Sequence, residues 1–183
     1  MTSMASVLVV TGSVRPNSVN EKVIPIVVAE LEAQGATTTV ADLKKLALPF
    51  YDAPVPPASP DFSPTHENVK AWTSQVAEAD GVVFVTPEYN HTMSPLQLNA
   101  IDWIGKEWQD KPIALVGYGW TSGANQAHAT AREALAVNLK AKVGDTQTNL
   151  FLGNHLNPDG SVADKAAVKA KLTATITELL EAI

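Results

Sequence analysis

The first predicted loop carries the polar side chains of Ser13, Arg15, Ser18 and Asn20 within eight residues. They offer hydroxyl and amide groups and a guanidinium that stays charged at every physiological pH. The helix that follows is predicted to begin near Val19, and the N–H groups of a helix N-terminus attract anions. Ser and Asn also cap helices, and Pro16 also shapes turns. Because several donors share one loop, we interpret it as a binding site for a terminal phosphate.

This loop lacks the common nucleotide-binding motifs. Gly12 stands alone, so there is no G-x-G-x-x-G, and no Gly-Lys pair followed by Ser or Thr occurs there. Those motifs form the phosphate contacts of Rossmann dinucleotide sites and of P-loop ATPases. The sequence therefore disfavours both classes.

A second segment with chemical potential is TPEYNHTMSP, residues 86–95. Its Pro and Asn residues favour a fixed backbone path, and Tyr89, Asn90 and His91 are candidate ligand contacts. The backbone amides of such a loop can frame an extended planar ligand. Glu88 is a candidate general base, but a loop carboxylate beside backbone amides more often has a structural role, and we favour that interpretation.

The other reactive side chains form no recognisable catalytic or metal pattern. The histidines at 66, 91, 128 and 155 lack metal-ligand spacing, so no metal site is predicted. Ser122 does not lie in a G-x-S-x-G motif, which disfavours a serine hydrolase. The absence of cysteine from the 183 residues excludes a disulfide framework, a thiolate nucleophile and an iron–sulfur cluster.

Alternating strands and helices must position these segments. Five segments predict strands, at residues 6–10, 37–43, 81–87, 111–119 and 146–152. The segments between and after them predict helices, at residues 19–34, 67–78, 96–108, 124–141 and 163–183. The proline-rich segment 48–66 is predicted to be a surface loop.

This alternation predicts an α/β fold in which helices cover both faces of a parallel sheet, a three-layer sandwich. The length of 183 residues suits one domain over residues 1–183. Ligands of such sheets bind beyond the carboxyl ends of the strands, where the strand order reverses. The loops after the first, third and fourth strands should therefore form the site.

Composition limits the partners. The net charge of −6 disfavours a nucleic-acid surface, so we expect small molecules or copies of the same chain as partners. The N-terminus lacks a basic region, its apolar run is too short for a signal peptide, and no run of about 18 apolar residues occurs. We therefore expect no membrane association and a cytoplasmic location.

Three segments resemble the signatures of the NADPH-dependent FMN reductase family. GSVRPNSVNEKV (residues 12–23) is similar to its phosphate loop, and PEYNHTMSPLQLNAIDW (87–103) is similar to its P-E-Y-N loop and N-A-I-D-W helix. GYGWTSGANQA (117–127) is similar to its third signature, and the resemblance spans about residues 7–152 in the family order. It implies a flavodoxin-like fold with strand order 2-1-3-4-5, an FMN cofactor, and NADPH or NADH as electron donor.

The resemblance also implies the site and the partners. Electrons would pass from FMN to a flavin, quinone, azo dye or metal oxyanion, and the chain would form a homodimer or homotetramer with the flavin near the subunit interface. No catalytic side chain is expected, because the cofactor carries the chemistry. The resemblance assigns the FMN phosphate to Ser13, Arg15, Ser18 and Asn20. It assigns the ribityl chain and the isoalloxazine to Pro87, Glu88, Tyr89 and Asn90. Tyr118 and Gly119 would line the ring, which makes ten residues in all.

Trp120 departs from the family pattern, which has Gly at that position. Its indole is expected either to stack near the flavin or to occlude the pocket, and in the second case FMN would bind as a dissociating substrate. Trp103 and Trp108, predicted on the helix after the P-E-Y-N loop, are expected either in the core or, by the resemblance, at a subunit interface. The alternative function is a flavodoxin-like electron carrier or flavin-binding sensor without its own NAD(P)H oxidation.

Overall fold

Five parallel strands form the centre of the molecule. The computed structural model describes residues 4–183, and its strands are β1 (Ser6–Val10), β2 (Thr37–Ala41), β3 (Gly81–Pro87), β4 (Pro112–Gly119) and β5 (Lys142–Phe151). Their order is β2-β1-β3-β4-β5, which confirms the predicted topology. Every residue of β3 is buried, as expected for the central strand of a sheet that is covered on both faces.

Helices cover the sheet on both sides. They are α1 (Asn20–Ala33), α2 (Leu43–Leu46), α3 (Glu67–Glu78), α4 (Pro95–Asp102), α5 (Asn125–Arg132) and α6 (Lys165–Glu181). Helices α3, α4 and α5 enclose one core with Phe84 of β3, whereas α1 and α6 enclose a second core with Val83 and Val85. Alternate side chains of β3 thus enter opposite cores, which confirms the three-layer architecture.

The described range and the character of the helices bear on two of the predictions. The predicted domain starts at residue 1, and residues 1–3 lie outside the described range. Within residues 4–183, no helix combines the length and the apolar character that crossing a membrane requires.

The second strand is shorter than predicted because a helix begins directly after it. The prediction covered residues 37–43, but β2 ends at Ala41. The Asp42 side chain then accepts the N–H groups of Lys44 and Lys45, at 3.0 and 3.4 Å. An aspartate in this role is a helix N-cap, and it begins the unpredicted helix α2.

The helix predicted over 96–108 is two separate elements. Helix α4 ends six residues early, and a 3₁₀ turn covers Lys106–Trp108. The indole N–H of Trp108 donates at 3.1 Å to the Ile101 carbonyl oxygen, which also accepts the N–H of Ile104 at 3.2 Å beyond the end of α4. Trp103 and Trp108 are 1% and 0% exposed, so both pack in the core of this chain.

The last third of the chain also differs at its boundaries. After α5, a π-helical turn covers Glu133–Asn138, within the helix predicted over 124–141. Strand β5 begins four residues before its predicted start, because the first half of β5 is polar and largely exposed and lacks an apolar pattern. Helix α6 begins two residues after its predicted start, where Asp164 accepts the N–H of Ala167 at 3.0 Å.

Strand β5 contains a bulge at the edge of the sheet. Its register against β4 shifts between Ile113 and Leu115. The N–H groups of Asp145 and Thr146 in the bulge turn to α6 and donate to the Glu178 carboxylate, both at 2.7 Å. A hydrogen bond with the Thr146 side chain, followed by those from the two backbone N–H groups, outweighs the effect of burial and holds the pKa of Glu178 below its usual value.

The proline-rich segment 48–66 is attached to α4 at its start. The Pro49 carbonyl oxygen accepts hydrogen bonds from the Asn99 amide at 2.9 Å and from the Trp103 indole at 2.8 Å. The Asn99 side chain also accepts the N–H of Tyr51 at 2.9 Å. The Asn and Trp of the N-A-I-D-W signature therefore hold this surface segment in place.

Candidate functional site

Two buried amide side chains fix the backbone where the strand order reverses. Asn20 accepts the N–H of Gly12 at 3.1 Å and donates to the Val85 carbonyl oxygen at 3.1 Å. Gln97 donates to the same Val85 oxygen and to the Val10 oxygen, at 3.1 and 3.2 Å. The fit requires glycine at position 12, because an added Cβ would lie 2.3 Å from the Val85 oxygen. The loops after β1 and β3 are therefore held at a fixed separation.

The loop after β1 carries polar groups that the protein does not satisfy. Ser18 Oγ is buried and has no hydrogen-bond partner within the described residues. Arg15 is exposed, and its guanidinium meets no acceptor between residues 4 and 183. Ser13 differs, since its hydroxyl lies 2.9 Å from the Tyr89 hydroxyl of the next loop. Arg15 and Ser18 are thus among the groups of this loop that are left for a ligand.

The loop after β3 folds back as a tight hairpin. Tyr89 and Thr92 exchange backbone hydrogen bonds at 3.0 and 3.1 Å. Between them Asn90 and His91 have φ angles of 51° and 61°. Two successive residues with positive φ are typical of a type I′ turn, in which Asn is favoured at the first position. The turn leaves the His91 side chain exposed at the tip.

Glu88 joins this hairpin to the start of α5. One carboxylate oxygen accepts the Ser122 hydroxyl at 2.6 Å, and the other accepts the N–H groups of Gln126 and Ala127 at 2.9 and 3.2 Å. Burial alone would raise the pKa of Glu88, but these hydrogen bonds and the nearby His91 outweigh it and hold the pKa below its usual value. The expected structural role of Glu88 agrees with this geometry, since a fully hydrogen-bonded carboxylate is a poor base.

The end of β4 forms the inner wall of the site. Tyr118 pairs with Pro87 of β3, and its carbonyl oxygen accepts the N–H of Glu88 at 3.2 Å. The Tyr118 side chain is 5% exposed, and this burial raises the pKa of its hydroxyl far above the usual value. Tyr118 is therefore neutral at physiological pH, and its hydroxyl is a donor rather than a charged group.

These loops enclose a cleft of about 310 Å³. Seven of the ten residues assigned to FMN from the sequence line it: Arg15, Ser18, Pro87, Glu88, Tyr89, Tyr118 and Gly119. Ser13 and Asn20 line an adjoining cavity on the other side of the first loop, which Arg15 and Ser18 share. Asn90 lines the outer side of the hairpin, again with Arg15. Arg15 therefore lines all three cavities.

This geometry occurs in a chain that matches a known family model. The model described as NADPH-dependent FMN reductase matches residues 5–151. The chain belongs to the NADPH-dependent FMN reductase family. Membership confirms the predicted flavodoxin-like fold, the oxidoreductase class and FMN as cofactor with NAD(P)H as donor.

Relatives and solved structures agree with this assignment. The NAD(P)H-dependent FMN reductase ntnL of Nectria sp. is 36% identical over 152 residues, which are 80% of this chain and 75% of the relative. A quinone reductase of Escherichia coli is 35% identical over 117 residues, which are 62% of this chain and 57% of the relative. The flavoenzyme FerB of Paracoccus denitrificans, an NAD(P)H:(acceptor) oxidoreductase, has a similar fold, with a TM-score of 0.77 and 22% identity over 97% of this chain and 98% of FerB.

The segment after the family match contributes to the cleft and had no predicted role. Leu152 and Pro158 line the cleft beside Trp120, and Gly160 packs against Val19 at the start of α1. The sequence N-P-D-G at residues 157–160 predicts a turn in this segment. It does not indicate that the turn packs against the first loop of the FMN reductase fold.

His128 of α5 lies behind the site rather than in it. The side chain is 1% exposed, and its Nε2 has no hydrogen-bond partner in the described part of the chain. It packs against Gly117, where an added Cβ would lie 2.5 Å from Nε2. Burial, assisted by the charge of Arg132, lowers the pKa of His128 to about 4. His128 is therefore a neutral core residue.

Proposed function

We propose that this FMN reductase holds the FMN phosphate in the loop after β1 and passes electrons from NAD(P)H to a planar quinone-type acceptor. When bound, FMN supplies the ring that takes up hydride and releases electrons. The tasks of the protein are to bind the phosphate, to orient the ring and to limit the access of water.

The buried hydroxyl of Ser18 is the observation that carries the phosphate assignment. A buried polar group without a partner costs about 1–3 kcal/mol, so its persistence favours a ligand that supplies the missing hydrogen bond. The unpaired guanidinium of Arg15 lines the same cleft. A phosphate monoester has acceptor oxygens for both groups, and its bonds to a guanidinium are charge-assisted. The donors that are present therefore fit the cofactor.

The other assigned residues support the site through the protein itself. Glu88 fixes the hairpin to α5, and Tyr89 is tied to Ser13 through their hydroxyls. Asn20 holds the loops together from below, and its amide already has two backbone partners. Pro87 and the segment 118–119 then offer a rigid backbone wall to the ring. We propose positioning roles for these residues and direct phosphate contact for Arg15 and Ser18.

The acceptor class is proposed from the relatives. Besides the quinone reductase of E. coli, a 2-hydroxy-1,4-benzoquinone reductase of Burkholderia sp. is 33% identical over 117 residues. Quinones are planar and suit a cleft that lies between two loops. Flavin, azo and metal-oxyanion acceptors are the classes against which quinones should be compared.

Reconstitution with FMN tests the function directly. The protein is mixed with FMN, desalted, and followed anaerobically by visible absorption while NADPH and then a quinone are added. We expect the flavin band to be retained, to bleach with NADPH and to return with the quinone. A retained band that stays oxidised with NADPH would favour the electron carrier or sensor instead.

Loss of the flavin on desalting has its own test. In that case Trp120→Gly should increase FMN retention if the indole occludes the pocket. Unchanged retention would reject the occlusion hypothesis.

The assembly and the location stay predictions. We propose a homodimer or homotetramer in the cytoplasm, on the basis of the sequence alone. Light scattering coupled to size-exclusion chromatography would measure the mass of the assembly.

A further inference from the structure

Trp120 differs from the other three tryptophans in both exposure and hydrogen bonding. Trp72, Trp103 and Trp108 are at most 1% exposed, and each indole N–H donates to a backbone carbonyl oxygen, at 2.8, 2.8 and 3.1 Å. Trp120 is 62% exposed, and its N–H meets no acceptor from residue 4 to residue 183. Folding thus uses three of the indoles, and it leaves the ring face and the donor of the fourth free.

The backbone that carries Trp120 is firmly held. On one side of the indole, the Gly119 carbonyl oxygen accepts the N–H of Leu152 at 3.0 Å. On the other side, Ser122 donates to Glu88 at 2.6 Å, and the Gly123 carbonyl oxygen accepts the Asn149 amide at 2.9 Å. A side chain on such an anchored loop loses little backbone freedom when a ligand binds to it.

The indole stands at the rim of the proposed redox cleft. It lines this cleft together with Arg15 and Tyr118. The turn at Gly153 approaches from below, where an added Cβ would lie 3.8 Å from the indole Cζ3. Leu152 and Pro158 continue the same wall, and they come from the segment that follows the family match. The indole therefore packs beside residues that follow the family match in the sequence.

An exposed indole offers an electron-rich face and one N–H donor. The face suits a planar, electron-poor ring that stacks in an offset geometry, and the N–H, which lies in the plane of the indole, suits a carbonyl oxygen at its edge. A quinone and the oxidised, carboxamide-bearing nicotinamide ring of NADP⁺ share this chemistry.

We infer that Trp120 is the stacking residue for the electron-poor carbonyl ring that reacts at this cleft. The inference rests on the proposed reductase function and adds a specificity residue to it. It concerns the substrate ring, and FMN retention is measured separately in each variant.

Four variants separate the ring face from other properties of the side chain. Trp120→Leu keeps apolar area without an aromatic face, Trp120→Phe keeps a face without the N–H, and Trp120→Ala removes both. Phe50→Ala is the matched control, since Phe50 is an aromatic residue that is 87% exposed and does not line the cleft. Because Trp120 is exposed, all four variants should fold.

Steady-state kinetics give the first readout. With NADPH and 1,4-naphthoquinone, kcat/KM for each substrate reports its own half-reaction. We expect Trp120→Leu and Trp120→Ala to lower kcat/KM for the naphthoquinone about tenfold and Trp120→Phe about threefold or less, in line with aromatic pair energies. In the Trp120 variants kcat/KM for ferricyanide, a non-planar acceptor, should stay unchanged, as should every rate of Phe50→Ala.

The two sources of the ring are distinguished by which constant falls. A decrease for the quinone alone assigns the indole to the acceptor, a decrease for NADPH alone assigns it to nicotinamide, and a decrease for both assigns it to a shared position. Unchanged constants for both substrates would overturn the inference. Loss of FMN from Trp120→Leu but not from Trp120→Phe would also overturn it, because the indole would then contact the flavin. A changed molecular mass of a variant by light scattering would overturn it as well, because the indole would then contact a second copy of the chain.

Equilibrium binding keeps the inference separate from the reductase function. Calorimetric titration of the FMN-loaded protein with NADP⁺ and with chromone, a planar carbonyl ring, needs no turnover. We expect Trp120→Leu to weaken at least one of them by about tenfold. If the wild-type protein oxidises no NADPH but binds one of these ligands about tenfold more tightly than Trp120→Leu does, the reductase function fails and the stacking role stands. If neither ligand is weakened, the stacking role fails.

Discussion

The loop of residues 12–20 and the hairpin of residues 87–92 are both polar, but they use their polar groups in opposite ways. In the first loop, the Ser18 hydroxyl and the Arg15 guanidinium have no partner within the described residues. In the hairpin, the Glu88 carboxylate accepts three hydrogen bonds, and the Tyr89 hydroxyl is paired with Ser13. This difference supports the proposal that the first loop binds the ligand and the hairpin forms a wall, and composition does not reveal it.

Arg15→Ala should give the largest effect on the ligand side of this comparison. Removing a charge-assisted phosphate contact should raise the Kd of FMN about hundredfold and leave that of riboflavin unchanged, because riboflavin has no phosphate. Fluorescence titration of both flavins measures the two constants. Lys22→Ala, which removes one positive charge from α1, is the control, and equal losses for both flavins in Arg15→Ala would contradict phosphate contact.

Glu88→Ala should give the largest effect on the wall side. It leaves three donors near α5 without their acceptor, so the free energy of unfolding should fall by about 2 kcal/mol. Urea unfolding of the apoprotein at pH 7 measures this change. Glu67→Ala, an exposed carboxylate in the first turn of α3, should cost less than about 0.5 kcal/mol. If the two variants are equally stable, the hairpin is not fixed through Glu88.

The same substitution in the two regions sharpens the contrast. Ser18→Ala should raise the Kd of FMN about tenfold without loss of apoprotein stability, since it removes a buried hydroxyl that has no partner. Ser122→Ala should lower the free energy of unfolding by about 1 kcal/mol and leave the ratio of FMN to riboflavin affinity unchanged. Exchanged outcomes would show that the ligand site and the wall are assigned to the wrong loops.

The smallest effect is a pH dependence that originates in Glu88. The pKa of this carboxyl is lower in the folded protein than its usual value of 4.5, so the unfolded chain binds the proton more readily. The stability that the charged form contributes is complete above pH 4.5 and is lost as the pH falls through the folded pKa. The difference in unfolding free energy between wild type and Glu88→Gln should therefore shrink as the pH falls below 4.5.

Most of the strands could be predicted because they are short apolar runs, whereas their order was implied by the family resemblance. β1 and β3 lie where the pattern places them, since both are buried on two faces. The start of β5 was missed because an exposed, polar edge strand has no such pattern. Caps such as Asp42 and the indole of Trp108 moved other boundaries, and each of these hydrogen bonds depends on the conformation of a single side chain.

The sequence predicted which residues line the cleft better than it predicted what each of them does there. Motifs brought Arg15, Ser18 and Glu88 to one cleft, but the sequence could not show which of them already had protein partners. Asn20 is the clearest case, because its amide was assigned to phosphate and lies between two backbone groups. Gln97 was missed altogether, since a glutamine in a helix gives no signal that it reaches two strand ends.

The bulge in β5 has a consequence for how the protein behaves at high concentration. An open sheet edge can recruit a strand from another molecule and begin aggregation. At Asp145 and Thr146 the donors that such a strand would need are already occupied by Glu178, and the bulge interrupts the straight edge. One carboxylate of α6 thus protects the edge of the sheet against the growth of fibrils from crowded solutions.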